Sequence, residues 1–144
     1  MNAARPRRLL TVCLGNHCRS PLAALILETK GLGAVEVRSA GTRDKWVGQP
    51  AHESMVTAAA ARGYDLTAHR GVQVSRDLLA WADAVLAMDR NILVALWDMA
   101  DESMLPKLAP YLGNRDVPDP WGKDCAAFAE VVDLIEAGAA RHLP

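Results

Sequence analysis

The sequence predicts one α/β domain, a doubly wound parallel sheet of about four strands with helices on both faces. Three observations lead there. Short apolar, β-rich segments alternate with segments of helical periodicity along the whole chain. Capping and breaking residues punctuate them at element length. No repeat, low-complexity tract or linker divides residues 1–144, and 144 residues at 51% hydrophobic content suffice for one buried core.

The elements follow in order. Arg8 to Leu14 is short and apolar, so it reads as a buried first strand. Ser20 is expected to cap a helix whose first position is Pro21. Leu22, Leu25 and Ile26 give that helix an apolar face, and Gly31 and Gly33 end it. Val35-Glu36-Val37 alternates into Ser39-Ala40-Gly41, a second strand. Met55 to Arg62 is Ala-rich and helical, closed by Gly63, and Ser75 to Trp81 is a further short helix. Asp83 to Asp89 is an apolar run between acids, a buried strand, with Asp89 placed to cap the next helix. Leu105 to Leu112 is ambiguous, a short fourth strand being one reading. Phe128, Val131, Val132 and Ile135 recur at helical spacing and make the last element an amphipathic helix.

Composition narrows the function. A formal net charge of −1 favours neither nucleic acid nor a basic membrane patch. The start, Met1 to Arg8, is basic, but the apolar run after it is too short for a signal peptide. No stretch approaches the ~20 apolar residues of a membrane span. Three cysteines without a secretion signal fit thiols in a reducing, cytoplasmic setting.

The chemistry concentrates in Cys13-Leu14-Gly15-Asn16-His17-Cys18-Arg19-Ser20-Pro21. Five residues separate Cys13 from Arg19, a spacing that lets a loop curl around one tetrahedral anion. The Cys13 thiolate would lie at the bottom, with backbone N–H groups of residues 14–20 pointing inward and the Arg19 guanidinium forking two phosphate oxygens. Thiolates are the reactive form of cysteine, and helix N-termini and arginines favour them. Gly15 and Asn16 suit the left-handed backbone that inward-pointing amides need. Ser20 is expected to hydrogen-bond the Cys13 sulfur besides capping the helix. The loop lies at the carboxyl end of the first strand, where doubly wound sheets bind their ligands.

Cys-x5-Arg-Ser, with Gly-Asn before the second Cys and Pro after the Ser, closely resembles the low-molecular-weight protein tyrosine phosphatases. The resemblance spans most of the chain. It implies hydrolysis of phosphotyrosine in proteins through a phosphocysteine intermediate on Cys13, with no metal or cofactor. It also implies that Asp119, in Val117-Pro118-Asp119-Pro120-Trp121-Gly122, is the general acid. Ser39-Ala40-Gly41-Thr42 and Thr67-Ala68-His69-Arg70 match family segments in which a Ser and a His join the loop Asn in a supporting network, here Ser39, His69 and Asn16. Trp46 and Trp121 stand where the family builds its pocket walls, although Lys45 takes the place directly after Asp44 where an aromatic is usual. Family members join the second cysteine to the first in a reversible disulfide under oxidant, which would pair Cys18 with Cys13.

His17 departs most from the pattern, since an apolar residue or Thr is usual there. It either lines the rim and favours acidic phosphopeptides or faces solvent. It leaves a protein arginine phosphatase as the alternative reading. An arsenate reductase, which needs further cysteines, and a non-catalytic phosphate-binding protein fit less well. Cys125 reads as a helix-end residue without a special role.

Overall fold

A computed structural model describes residues 5–144; the first four residues of the Met1 to Arg8 start lie outside the described residues, while its basic Arg5, Arg7 and Arg8 lie within them. Four strands form one all-parallel sheet in the order β2-β1-β3-β4. The strands are β1 (Arg7–Cys13), β2 (Val35–Gly41), β3 (Ala84–Ala87) and β4 (Leu108–Pro110). The helices are α1 (Arg19–Gly31), α2 (Glu53–Ala60), α3 (Arg76–Trp81), α4 (Arg90–Met99) and α5 (Cys125–Gly138), with 3-10 turns at Leu105–Lys107 and Ala139–His142. The predicted doubly wound architecture is observed.

Strand periodicity divides the core into two layers. Leu9 and Cys13 of β1 point to one face, with Leu22 and Ile26 of α1 and Phe128, Val132 and Ile135 of α5. Leu10 and Val12 point to the other, against Leu79 of α3 and Ile92 and Leu96 of α4. Strand order reverses between β1 and β3, so β1 ends at the switch point of the sheet.

Three boundaries depart from expectation. Ser20 does not cap α1: the helix starts at Arg19, Cys18 occupies the capping position, and no side chain caps it. The Ser20 hydroxyl is drawn instead to the sulfur and amide of the preceding loop. At the other end Gly31 is the last helical residue, and the left-handed turn falls on Leu32 (φ 49°) before Gly33 (φ 87°). Helix α2 begins two residues ahead of Met55, because the His52 side chain accepts a hydrogen bond from Ser54 N and caps it there. The ambiguous 105–112 stretch resolves into a 3-10 turn and a three-residue strand paired with β3. No helix among the described residues is long and apolar enough to cross a membrane.

Candidate active site

Residues 14–18 leave the end of β1 and curl back into α1, forming the floor of a cleft of about 260 Å3. Cys13, Cys18, Arg19, His17, Trp46, Asp119 and Trp121 all line it. The structure therefore brings together residues that the sequence singled out from three separate segments.

The loop's shape follows from Asn16. Its backbone is left-handed (φ 53°), a conformation that Asn tolerates better than most residues. Its side chain is buried and fully used. Nδ2 donates to Ser20 Oγ and Ser39 Oγ, each at 2.9 Å, and Oδ1 accepts from Val72 N at 2.9 Å. His69 Nε2 donates to the Asn16 carbonyl at 2.8 Å. Burial pushes the His69 pKa down, so the ring favours its neutral form. Asn16, Ser20, Ser39 and His69 thus form one continuous network around the loop.

Two glycines let other segments approach. A Cβ on Gly41 would lie 2.7 Å from Asn16 N and from the Gly15 carbonyl carbon, and 3.0 Å from Leu14 O. A Cβ on Gly71 would collide with the Trp46 carbonyl. These approaches bring the end of β2 and the 42–48 loop against the phosphate loop, joined by Thr42 N to Cys13 O (3.0 Å) and Arg43 N to Leu14 O (2.9 Å).

The Cys13 sulfur lies 3.0 Å from Ser20 Oγ, beneath the cleft. The Arg19 side chain is 3% exposed, and its Nη1 donates to Asp89 Oδ2 (2.7 Å) and Val117 O (2.8 Å). Sequence reading gave Asp89 only a capping role. It does cap α4, through Ile92 N at 2.9 Å, while its second oxygen orients the arginine. Asp119 is 45% exposed, with Oδ2 3.9 Å from Arg19 Nη2. Its Oδ1 accepts from Trp121 N at 3.0 Å, a local turn that fixes the carboxyl between Pro118 and Pro120.

Cys18 is buried, and burial above all, with Cys13 beside it, pushes its thiol up to about 12. The ring of His17 stacks on Trp46, with centroids 4.0 Å apart and planes 4° from parallel. Its Nδ1 is buried without a hydrogen-bond partner among the described residues. Burial, then His52, pushes its pKa down. His17 is half-buried, its ring lies against Trp46 in the cleft lining, and its lowered pKa disfavours the cationic form.

Arg43 and Lys45 also line the cleft; Lys45 stands where the resemblance put an aromatic, and nothing in the sequence marks Arg43. Asp116 lies outside the cleft lining and accepts from Arg90 N at 2.9 Å. A loop of this form, with a thiol below and a guanidinium at its side, can bind an oxyanion and offer it a nucleophile.

Known proteins are similar to this chain in sequence and in fold. The family described as low molecular weight phosphotyrosine protein phosphatase matches residues 8–143. The low molecular weight protein-tyrosine phosphatase A of Mycobacterium tuberculosis is 41% identical over 143 residues, covering 92% of this chain and 86% of its own. The Salmonella typhi phosphatase Wzb is 34% identical over 134 residues, covering 92% and 89%. Among solved structures, Vibrio vulnificus Wzb in complex with benzylphosphonate superposes with a TM-score of 0.88 at 28% identity, over 94% of this chain and 96% of that one. Wzb from Escherichia coli K30 in complex with sulphate gives 0.86 at 30% identity, over 94% of each. In sequence and in fold, this chain belongs to the low molecular weight phosphotyrosine protein phosphatase family.

Proposed function

We propose that the protein hydrolyses phosphotyrosine in proteins through a phosphocysteine on Cys13, residues 1–144 working as one catalytic domain. The observation that carries this is the convergence of Cys13, Arg19 and Asp119 on one cleft at the end of β1. The loop amides and Arg19 bind the phosphate oxygens and neutralise their charge. The Cys13 thiolate attacks phosphorus, and the phosphorus–oxygen bond to the tyrosyl ring breaks. Asp119 delivers its proton to the departing phenolate. Water then attacks the phosphocysteine, gives its proton to Asp119 and releases phosphate. In this second step the Ser20 hydroxyl, 3.0 Å from the sulfur, donates to the leaving thiolate.

Asn16, Ser39 and His69 keep the loop in its binding shape. Trp46, braced by His17, and Trp121 serve as walls for the tyrosyl ring. The His17–Trp46 stack fills the space that a small residue would leave open at the loop, which favours an aryl phosphate over phosphoarginine. Phosphoprotein substrates and a cytoplasmic setting belong to the same reading, supported by the three free thiols.

The test is turnover of a phosphotyrosyl peptide by the parent and by Cys13→Ser. The variant is expected to lose turnover and still bind inorganic phosphate, because the amides and Arg19 persist. Substantial turnover by the variant refutes the covalent route, and a parent preference for phosphoarginine refutes the substrate.

A further inference from the structure

We infer that Lys45 is a specificity-determining residue, selecting phosphotyrosines that carry a carboxylate side chain beside them. The inference rests on the tyrosine-phosphatase reading above and adds to it the chemistry of the flanking peptide.

Lys45 lines the cleft, and its ammonium is set between the two aromatic walls. Nζ lies 5.0 Å from the centre of the Trp46 ring and 5.8 Å from that of Trp121, both within cation–π range. Both rings come from loops, so the ammonium bridges the two sides of the entrance. Its base is fixed as well. The turn from Asp44 to Val47 is closed by Val47 N donating to Asp44 O (3.1 Å), and Gly48 N donates to Gly71 O (2.9 Å). Two backbone bonds, from Thr42 and Arg43, fasten the same segment to the phosphate loop. The backbone of Lys45 is thereby fastened beside the phosphate loop, and the two rings flank its ammonium.

The charges in the cleft leave this cation available. Arg19 is engaged by Asp89 and by the Val117 carbonyl. Asp119, the cleft's carboxylate, pairs toward Arg19. Neither Lys45 nor its neighbour Arg43 forms an ion pair or a side-chain hydrogen bond among the described residues. Asp44 makes no pair with either. His17, the other rim candidate, is stacked and disfavours charge. An anion arriving beyond the phosphate therefore meets Lys45 first, with Arg43 on the same loop adding to the positive potential. An Asp or Glu next to the phosphotyrosine supplies such an anion.

The experiment uses two phosphotyrosyl peptides that differ only in Glu or Gln on both sides of the tyrosine. For the parent, kcat/KM is expected to favour the Glu peptide about fivefold at low salt, equivalent to ~1 kcal/mol for a rim ion pair. The ratio is expected to fall toward one by about 0.5 M NaCl, as screening shortens the reach of the charge. Lys45→Met should bring the low-salt ratio close to one, Lys45→Arg should preserve it, and Lys45→Glu should invert it. Thermal midpoints check that each variant is folded. A parent ratio near one, or a ratio unchanged in Lys45→Met, overturns the inference and leaves the phosphatase reading intact. Absence of turnover on either peptide by the parent overturns that reading, and this inference with it.

Discussion

Gly41→Ala is the sharpest test of how the loop is built, because it adds one methyl group where the end of β2 meets the backbone of the phosphate loop. Gly41 ends β2 with φ outside the left-handed region, so alanine suits its backbone. The obstacle is space. The new Cβ would lie 2.7 Å from Asn16 N and from the Gly15 carbonyl carbon, where ordinary contact begins at 3.4 Å. These are backbone atoms that no rotamer change can remove, so the phosphate loop must retreat by about 0.7 Å. Displacements near 1 Å cost on the order of 100-fold in a positioned reaction, so kcat/KM is expected to fall roughly 10- to 100-fold. Overpacking also costs about 1–3 kcal/mol of stability, a Tm loss of several degrees in a chain of this length. Steady-state kinetics on an aryl phosphate, inhibition by inorganic phosphate and a thermal melt together read the effect. Gly33→Ala is the control: Gly33 has φ 87° and open space around it, so it carries backbone strain without a collision. That variant should lose stability and keep its kinetics. Parental kcat/KM and phosphate inhibition in Gly41→Ala would refute the claim that this contact sets the loop.

Asp119→Ala should slow cleavage of phosphotyrosine far more than that of an activated nitrophenyl phosphate, since tyrosyl oxygen (pKa ~10) needs the proton most. Equal losses on both would leave Asp119 a loop-shaping role only. Cys18→Ser should keep basal turnover close to parental and recover poorly with thiol after mild peroxide; recovery equal to the parent excludes a Cys13–Cys18 disulfide. Folding stability in urea should fall as pH drops below about 6.5. His17, His69 and His142 all have folded pKa values lowered chiefly by burial, so the unfolded chain takes up protons first. Asp83, held below the usual carboxylate range by its hydrogen bond from Arg5, adds a second loss only below about pH 4. A flat profile between pH 7.5 and 5.5 would contradict the histidine argument.

What was legible in the sequence is local or periodic. The apolar run of β1, the alternation of element types and the Cys13-to-Arg19 spacing all lie within single segments, and they located both the sheet and its ligand end. What was not legible depends on residues far apart in the chain. Asp89 stands 70 positions from Arg19, and a capping aspartate looks the same in sequence whether or not its second oxygen holds an arginine. Ser20 was misread as a cap because a serine before a proline satisfies that pattern, whereas the buried sulfur and the Asn16 amide compete for its hydroxyl. The stack of His17 on Trp46 depends on how closely Gly15 and Gly71 let two loops pass, which no spacing rule encodes. Residues 105–112 stayed ambiguous because only three of them pair with β3.

The bonds around Val117 have a kinetic consequence. Its N–H donates to Met88 O (2.8 Å) and its carbonyl accepts from Arg19 (2.8 Å), so the residue two positions before Asp119 is pinned on both sides in the interior. Pro118 and Pro120 then stiffen the short span that reaches the carboxyl. A carboxylate mounted this way is anchored on its upstream side. On the proposed mechanism the cycle is expected to need no closing step here, and turnover to be insensitive to solvent viscosity except where substrate diffuses in or phosphate diffuses out. Rigid inhibitors that span the thiol and Asp119 should likewise bind without the penalty of ordering a loop.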